Sequence, residues 1–203
     1  MSSSGNVDFT KSFFIQSWGA GYYENFSYGV GIETVCKVCL YPFVNSTVRV
    51  LEIGSGGGVF TQRIWPKAGS LTCIDVIPRP DHFMPSVNYI ELDNQDYNCT
   101  SVPDNSIDFT FCYNVFCHLS NDAITEYLKS VHRVLRLGGD FVFMLSRYGK
   151  GMPDIEIGAL LPVGHFAQDE RTLPLVIGEG WEIISPDMIP EHRDIVIHLK
   201  KKE

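Results

Sequence analysis

Val48-Arg49-Val50-Leu51-Glu52-Ile53-Gly54-Ser55-Gly56-Gly57-Gly58 decides the fold of this chain. Residues 48–53 form a short apolar run that stops at glycines, the pattern of a buried strand ending in a tight turn. Val59–Trp65, which follows, reads as a helix. A strand, a glycine turn and a helix bring backbone close to a ligand, because glycine adopts turn conformations and carries no Cβ to clash. Dinucleotide and nucleotide sites share this device, so the turn alone does not name the ligand. No Lys-Ser or Lys-Thr follows the glycines, which excludes a P-loop. The spacing Glu52-x-Gly54-x-Gly56-x-Gly58 also differs from G-x-G-x-x-G.

Outward from the loop, similar apolar runs recur at Leu71–Ile77, Val87–Leu92, Ile107–Tyr113, Asp140–Ser146, Trp181–Ile184 and Ile195–Leu199. A helix is predicted near residues 31–41. Another spans Ile124–Leu135, with apolar residues at 124, 127, 128, 131, 134 and 135. Asp122 is placed to cap it and Gly138-Gly139 to end it. Strands alternating with helices imply an α/β fold: a mostly parallel sheet with right-handed crossovers and helices on both faces. Only Ser185–Asp194 separates the last two of the seven strands, too little for a crossover helix, so they are predicted antiparallel to each other.

The expected organisation is a polar, disordered leader over 1–8 and a single domain over 9–203. Within it lie an aromatic N-terminal cap (9–47), the ligand-binding core (48–146), a Gly- and Pro-rich, lid-like insertion (147–180) and a terminal hairpin (181–203). The leader lacks the basic flank and apolar core of a secretory signal. No stretch approaches the roughly 20 apolar residues that a membrane span needs. A net charge of −8 opposes a nucleic-acid partner, which requires a basic face, and Lys200-Lys201-Lys202 reads as a solvated tail. Cys73 and Cys112 lie inside apolar runs, and Cys36 and Cys39 have no second ligand pair, so the thiols read as packing groups. A reduced, cytoplasmic protein is expected.

Asp75 closes the strand after the loop, where a carboxylate can accept hydrogen bonds from both hydroxyls of an adenosine ribose. An NAD site has an acid there too, so Asp75 indicates adenosine without specifying the cofactor.

Val50–Gly58 closely resembles motif I of the class I S-adenosylmethionine-dependent methyltransferases. Pro103-Asp104-Asn105-Ser106-Ile107-Asp108-Phe109 resembles that family's approach to its fourth strand, and Tyr127–Gly139 its helix and turn before strand five. The resemblance covers about residues 48–146. It implies the family's Rossmann-like fold, with a seven-stranded sheet ending in an antiparallel hairpin, and S-adenosylmethionine as cofactor. It further implies that Gly54, Ser55 and Gly56 contact the methionine part, that Glu52 supports the loop, and that Asp75 and Val76 meet the ribose side. Asp96, about twelve residues before Asp108, and the Tyr97 amide would meet adenine; Asp93 is the rival acid. Cys112 and Asn114 would line the cofactor at the end of strand four.

Methyl transfer from a sulfonium is an in-line displacement, so alignment is most of the protein's task. A hydroxyl acceptor also needs a base within hydrogen-bond reach. His118, just past strand four, and His165, in the predicted lid, are the candidates; His132, His192 and His198 read as structural. Trp18, Tyr22 and Tyr23 offer rings that either stack on an acceptor such as a sugar or pack the cap on the sheet. The Tyr113–His118 region and the stretch formed by Asp104–Asp108 and Tyr127–Gly139 are similar to small sugar and glycan O-methyltransferases. Some of these carry an Asp after strand four and a His pair after strand five, where this chain has Asn114 and Met144–Arg147. No metal is therefore expected. The acceptor is expected to be a sugar or glycan hydroxyl, or else a hydroxyl or amine of another small metabolite. A catalytically silent cofactor-binding partner subunit is the reading from a different class, and a Rossmann dehydrogenase is the outside option.

Overall fold

The computed structural model describes residues 30–92, 98–119, 121–145 and 177–203. The elements are α1 (Ile32–Cys39), β1 (Arg49–Ile53), α2 (Thr61–Ile64), β2 (Ser70–Asp75), β3 (Asn88–Glu91), β4 (Ile107–Cys112), a 3-10 turn (Phe116–His118), α3 (Asn121–Val134), β5 (Leu135–Leu145), β6 (Trp181–Ser185) and β7 (Ile195–Lys201). The strands form one seven-stranded sheet in the order β3-β2-β1-β4-β5-β7-β6. All neighbours from β3 to β5 are parallel, whereas β7 runs antiparallel to both β5 and β6. This is the mostly parallel sheet with a terminal antiparallel hairpin that the sequence predicts.

Because strand side chains alternate between faces, each central strand feeds two cores. Leu51, Ile53, Cys112, Phe141 and Phe143 pack beneath α3. Val50, Phe109, Phe111, Val142 and Met144 pack on the other face with Val35, Cys36, Cys39 and Leu40, in or just after α1, and Ile64 of α2. Cys36 and Cys39 are therefore core residues, and burial pushes their thiols up to about 11 and about 12.

The helical spacing in α3 buries Ile124, Tyr127, Leu128, Val131 and Val134 on one side. Each such side chain contributes about 1.5–3 kcal/mol relative to exposure. The helix ends differ from expectation. α3 starts at Asn121, so Asp122 lies in the first turn instead of at the cap. It stops at Val134, four residues before the glycines. There the Arg133 and Val134 carbonyls accept hydrogen bonds from Asn105 N (3.1 Å) and Ser106 N (2.9 Å), so the chain entering β4 satisfies the helix end. Gly138, at φ +71°, instead bends the early part of β5.

Asp108 joins three strands at the amino end of the sheet. Its carboxylate accepts from Arg49 N at 2.8 Å, Arg49 Nε at 2.9 Å and an Arg49 guanidinium NH2 at 3.0 Å, and it also pairs with Arg136. These partners hold its carboxyl far below the usual carboxylate range.

Candidate cofactor site and active site

The loop after β1 is built on left-handed glycines: Gly54, Gly56 and Gly58 have φ of +72°, +51° and +84°. Gly54 N donates to Ile74 O at 2.8 Å, fixing the turn against β2. A Cβ on Gly54 would stand 2.1 Å from Val115 Cγ2, and one on Gly58 would stand 2.5 Å from Phe83 Cε1. Glycine is thus required at both positions for conformation and for space.

Two buried carboxylates organise this loop. Asp75 Oδ2 accepts from Gly56 N at 2.8 Å, and Oδ1 accepts from Ile77 N at 3.2 Å. Burial pushes the Asp75 carboxyl up to about 6, although its backbone donors oppose the shift. Glu52 Oε2 accepts from Thr61 Oγ1 at 2.7 Å and from Cys73 Sγ at 3.5 Å, and burial raises its carboxyl to about 7. Glu52 therefore ties β1 to the first residue of α2. Ser55 is buried, and its hydroxyl stands beside the Tyr89 phenol.

The carboxyl end of β4 faces this loop. Cys112 pairs in register with Ile53, one residue before Gly54. The Cys112 thiol is fully buried and burial raises its pKa well up, so its backbone is the part available at the sheet edge. Asn114 turns the chain at φ 60°, and Val115 then packs over Gly54. Val76, after Asp75, is half-buried against the α3 core. The structure thus gathers Glu52, Gly54, Ser55, Gly56, Asp75, Val76, Cys112 and Asn114 around the carboxyl ends of β1, β2 and β4, where open α/β sheets hold ligands. Trp18, Tyr22, Tyr23, Asp93, Asp96, Tyr97 and His165 lie outside the described residues, as does the side chain of His118.

Three neighbours of the loop went unforeseen. Thr61 anchors Glu52, and His82 Nε2 lies 2.9 Å from Gly57 O. Tyr113 Oη lies 2.6 Å from His192 Nε2 across 79 residues of chain, a separation that no local pattern discloses. His132 bonds Gly180 O at 3.1 Å and packs edge-on against Trp181, and His198 pairs with Asp140 at 2.8 Å.

Residues 51–143 match the family described as "Methyltransferase domain". Among curated proteins there is no match. The 1,6-didemethyltoxoflavin-N1-methyltransferase of Burkholderia thailandensis, solved with bound 1,6-didemethyltoxoflavin and S-adenosylhomocysteine, superimposes with a TM-score of 0.72 at 16% identity, covering 100% of this chain and 92% of that one. The N-methyltransferase NodS of Bradyrhizobium japonicum, bound to S-adenosylhomocysteine, gives 0.67 at 17% identity over 98% of this chain and 100% of that one. Phosphoethanolamine N-methyltransferase 1 of Haemonchus contortus gives 0.68 at 18% identity; this chain is covered fully and spans 50% of that protein.

The sheet is that of the class I methyltransferase fold, and residues 51–143 are the part of the chain that matches a methyltransferase domain, whose cofactor is S-adenosylmethionine. The glycine cradle, the buried Ser55 hydroxyl and the carboxylate closing β2 fit a cofactor that carries an amino acid at one end and a ribose at the other.

Proposed function

We propose that this chain transfers the methyl group of S-adenosylmethionine to a small-molecule acceptor, a sugar or glycan hydroxyl being the first reading. The observation that carries the donor half is the loop from Gly54 to Gly58, pinned through Gly56 to Asp75. In this reading Gly54, Ser55 and Gly56 hold the methionine part, and Asp75 with Val76 meets the ribose. Asp96 and Tyr97 take the adenine, and Cys112 and Asn114 line the cofactor from β4. Glu52 keeps the loop on α2. The bound cofactor supplies an electrophilic methyl on a sulfonium; the protein aligns the acceptor and handles its proton. His118 and His165 are the histidine candidates for that proton, and Trp18, Tyr22 and Tyr23 are the candidate acceptor platform.

The hydroxyl acceptor rests on the resemblance around Tyr113–His118. A nitrogen acceptor is the second reading, favoured because the three similar structures above are N-methyltransferases. A neutral amine needs less help with its proton. Labelled S-adenosylmethionine offered with monosaccharides, oligosaccharides, amines and phenols tests both. Label on sugars supports the first reading and label on amines alone replaces it with the second. No transfer to any of them, with S-adenosylhomocysteine still bound, leaves a silent cofactor-binding subunit.

A further inference from the structure

Tyr113 and His192 form a pair built from opposite ends of the fold. Tyr113 leaves the carboxyl end of β4 immediately after Cys112, level with the glycine turn. Its ring is held between Phe111, stacked at 6.0 Å, and Phe60, edge-on at 5.0 Å, the latter standing just before α2. His192 lies in the loop between β6 and β7 and is 0% exposed. Its Nε2 is 2.6 Å from Tyr113 Oη, while Tyr113 itself is half-buried.

The backbone fixes which ring nitrogen carries the proton. Asp194 N–H points at His192 Nδ1 over 2.9 Å, and a backbone amide always bears its hydrogen. Nδ1 is therefore the acceptor and Nε2 the donor, so His192 donates to Tyr113 Oη. The Asp194 carbonyl, 3.1 Å from the same Nδ1, is excluded as its partner by this assignment. Desolvation lowers the imidazole's pKa and keeps it neutral. Charged groups that act on His192 include Asp187, Arg193 and Asp194 of the same loop, and Cys117 after β4 lies near the last two; Arg193 binds the Asp194 carboxylate at 2.8 Å. The faces contributed by Phe60 and Phe111 carry no charge.

A donor aimed at a phenol oxygen stabilises its phenolate. We propose that Tyr113 takes the proton of a hydroxyl acceptor, with His192 as the residue that positions and acidifies it. The acceptor's O–H proton passes to the Tyr113 phenolate oxygen, giving a neutral phenol that later returns the proton to solvent. The acceptor oxygen uses a lone pair for its new bond to carbon, and the carbon–sulfur pair stays on sulfur. This assignment rests on the methyl-transfer reading and adds to it a base whose geometry is described.

The test is a pH titration of phenolate absorbance in the full chain, taken as the difference between the parent and Tyr113→Phe. Tyr113 is expected to ionise on the order of one pH unit below the ordinary tyrosine value of about 10. His192→Gln, which keeps an N–H toward Oη, retains most of that shift, and His192→Leu loses it. Tyr113 ionising at or above about 10, or ionising alike in the Gln and Leu variants, overturns the proposal. On every sugar or phenol that the parent methylates, Tyr113→Phe is expected to lose about a hundredfold in turnover with unchanged S-adenosylhomocysteine affinity. Full turnover in Tyr113→Phe, with loss confined to His118→Ala or His165→Ala, also overturns it. Failure of the parent to bind S-adenosylhomocysteine sinks the methyl-transfer reading instead, and the titration still decides the pair.

Discussion

Gly56 N–H donates to Asp75 Oδ2 at 2.8 Å, so the turn after β1 is locked to the last residue of β2. The same carboxylate is the one assigned to the ribose, and it works only when ionised. With its carboxyl raised to about 6 by burial, S-adenosylhomocysteine affinity is expected to be flat above neutrality and to fall about tenfold per pH unit below 6. Calorimetry across this range checks it. Asp75→Asn binds weakly with no such slope, and an unchanged affinity in that variant removes Asp75 from the site.

Glu52 stores instability in the free protein. Its folded pKa of about 7 lies above the ordinary 4.5, so the folded state prefers the protonated form. This contribution is fully present below about 4.5 and is lost as pH rises through about 7, at a cost of about 3 kcal/mol. Glu52→Gln, which retains an acceptor for Thr61, is expected to raise stability near pH 8 and to be neutral near pH 4. Denaturant unfolding at the two pH values measures this. A variant less stable than the parent at pH 8 contradicts the sign.

Gly54→Ala joins a left-handed φ of +72° to an overlap with Val115. Backbone strain and the forced shift together are expected to cost about 2–4 kcal/mol and to lower cofactor affinity at least tenfold. Adding Val115→Ala removes the overlapping methyl but leaves the strain. The double variant should therefore recover part of the loss, as a double-mutant cycle on unfolding and binding will show.

Asp108→Asn breaks the bridge between β1 and β5 at the edge opposite the site. A loss of about 1–3 kcal/mol is expected, with cofactor affinity unchanged. Because the folded carboxyl is depressed, its contribution is present above the ordinary carboxylate range of about 3.9 and is lost as pH falls through the lower folded value. The parent and variant should converge in stability on acidification. A fixed gap from neutral pH to strong acid refutes the charge argument.

Much of the fold was legible because its signals are local. Apolar runs of strand length, the 3.6-residue period of α3 and the glycines after Ile53 each act over a few residues, and the structure places strands at the runs, a helix at the period and a turn at the glycines. The carboxyl end of α3 differs from the sequence expectation because its hydrogen bonds come from Asn105 and Ser106, distant in sequence. Strand order follows the same rule. The sequence predicted an antiparallel pair at the end, but only the fold shows β7 inserted between β5 and β6.

The site divides along the same line. By itself, the stretch from Val48 to Gly58 determined a strand that ends in a tight glycine turn, because such a turn dictates glycine residue by residue; the methyl donor entered through the resemblance to a family. Tertiary structure alone decided what surrounds the loop: Val115 over Gly54, Thr61 on Glu52, and His192 against Tyr113. These contacts follow from which strand edges and loops the sheet brings together. A histidine in a β6–β7 loop carries no sequence mark of the phenol that it will face.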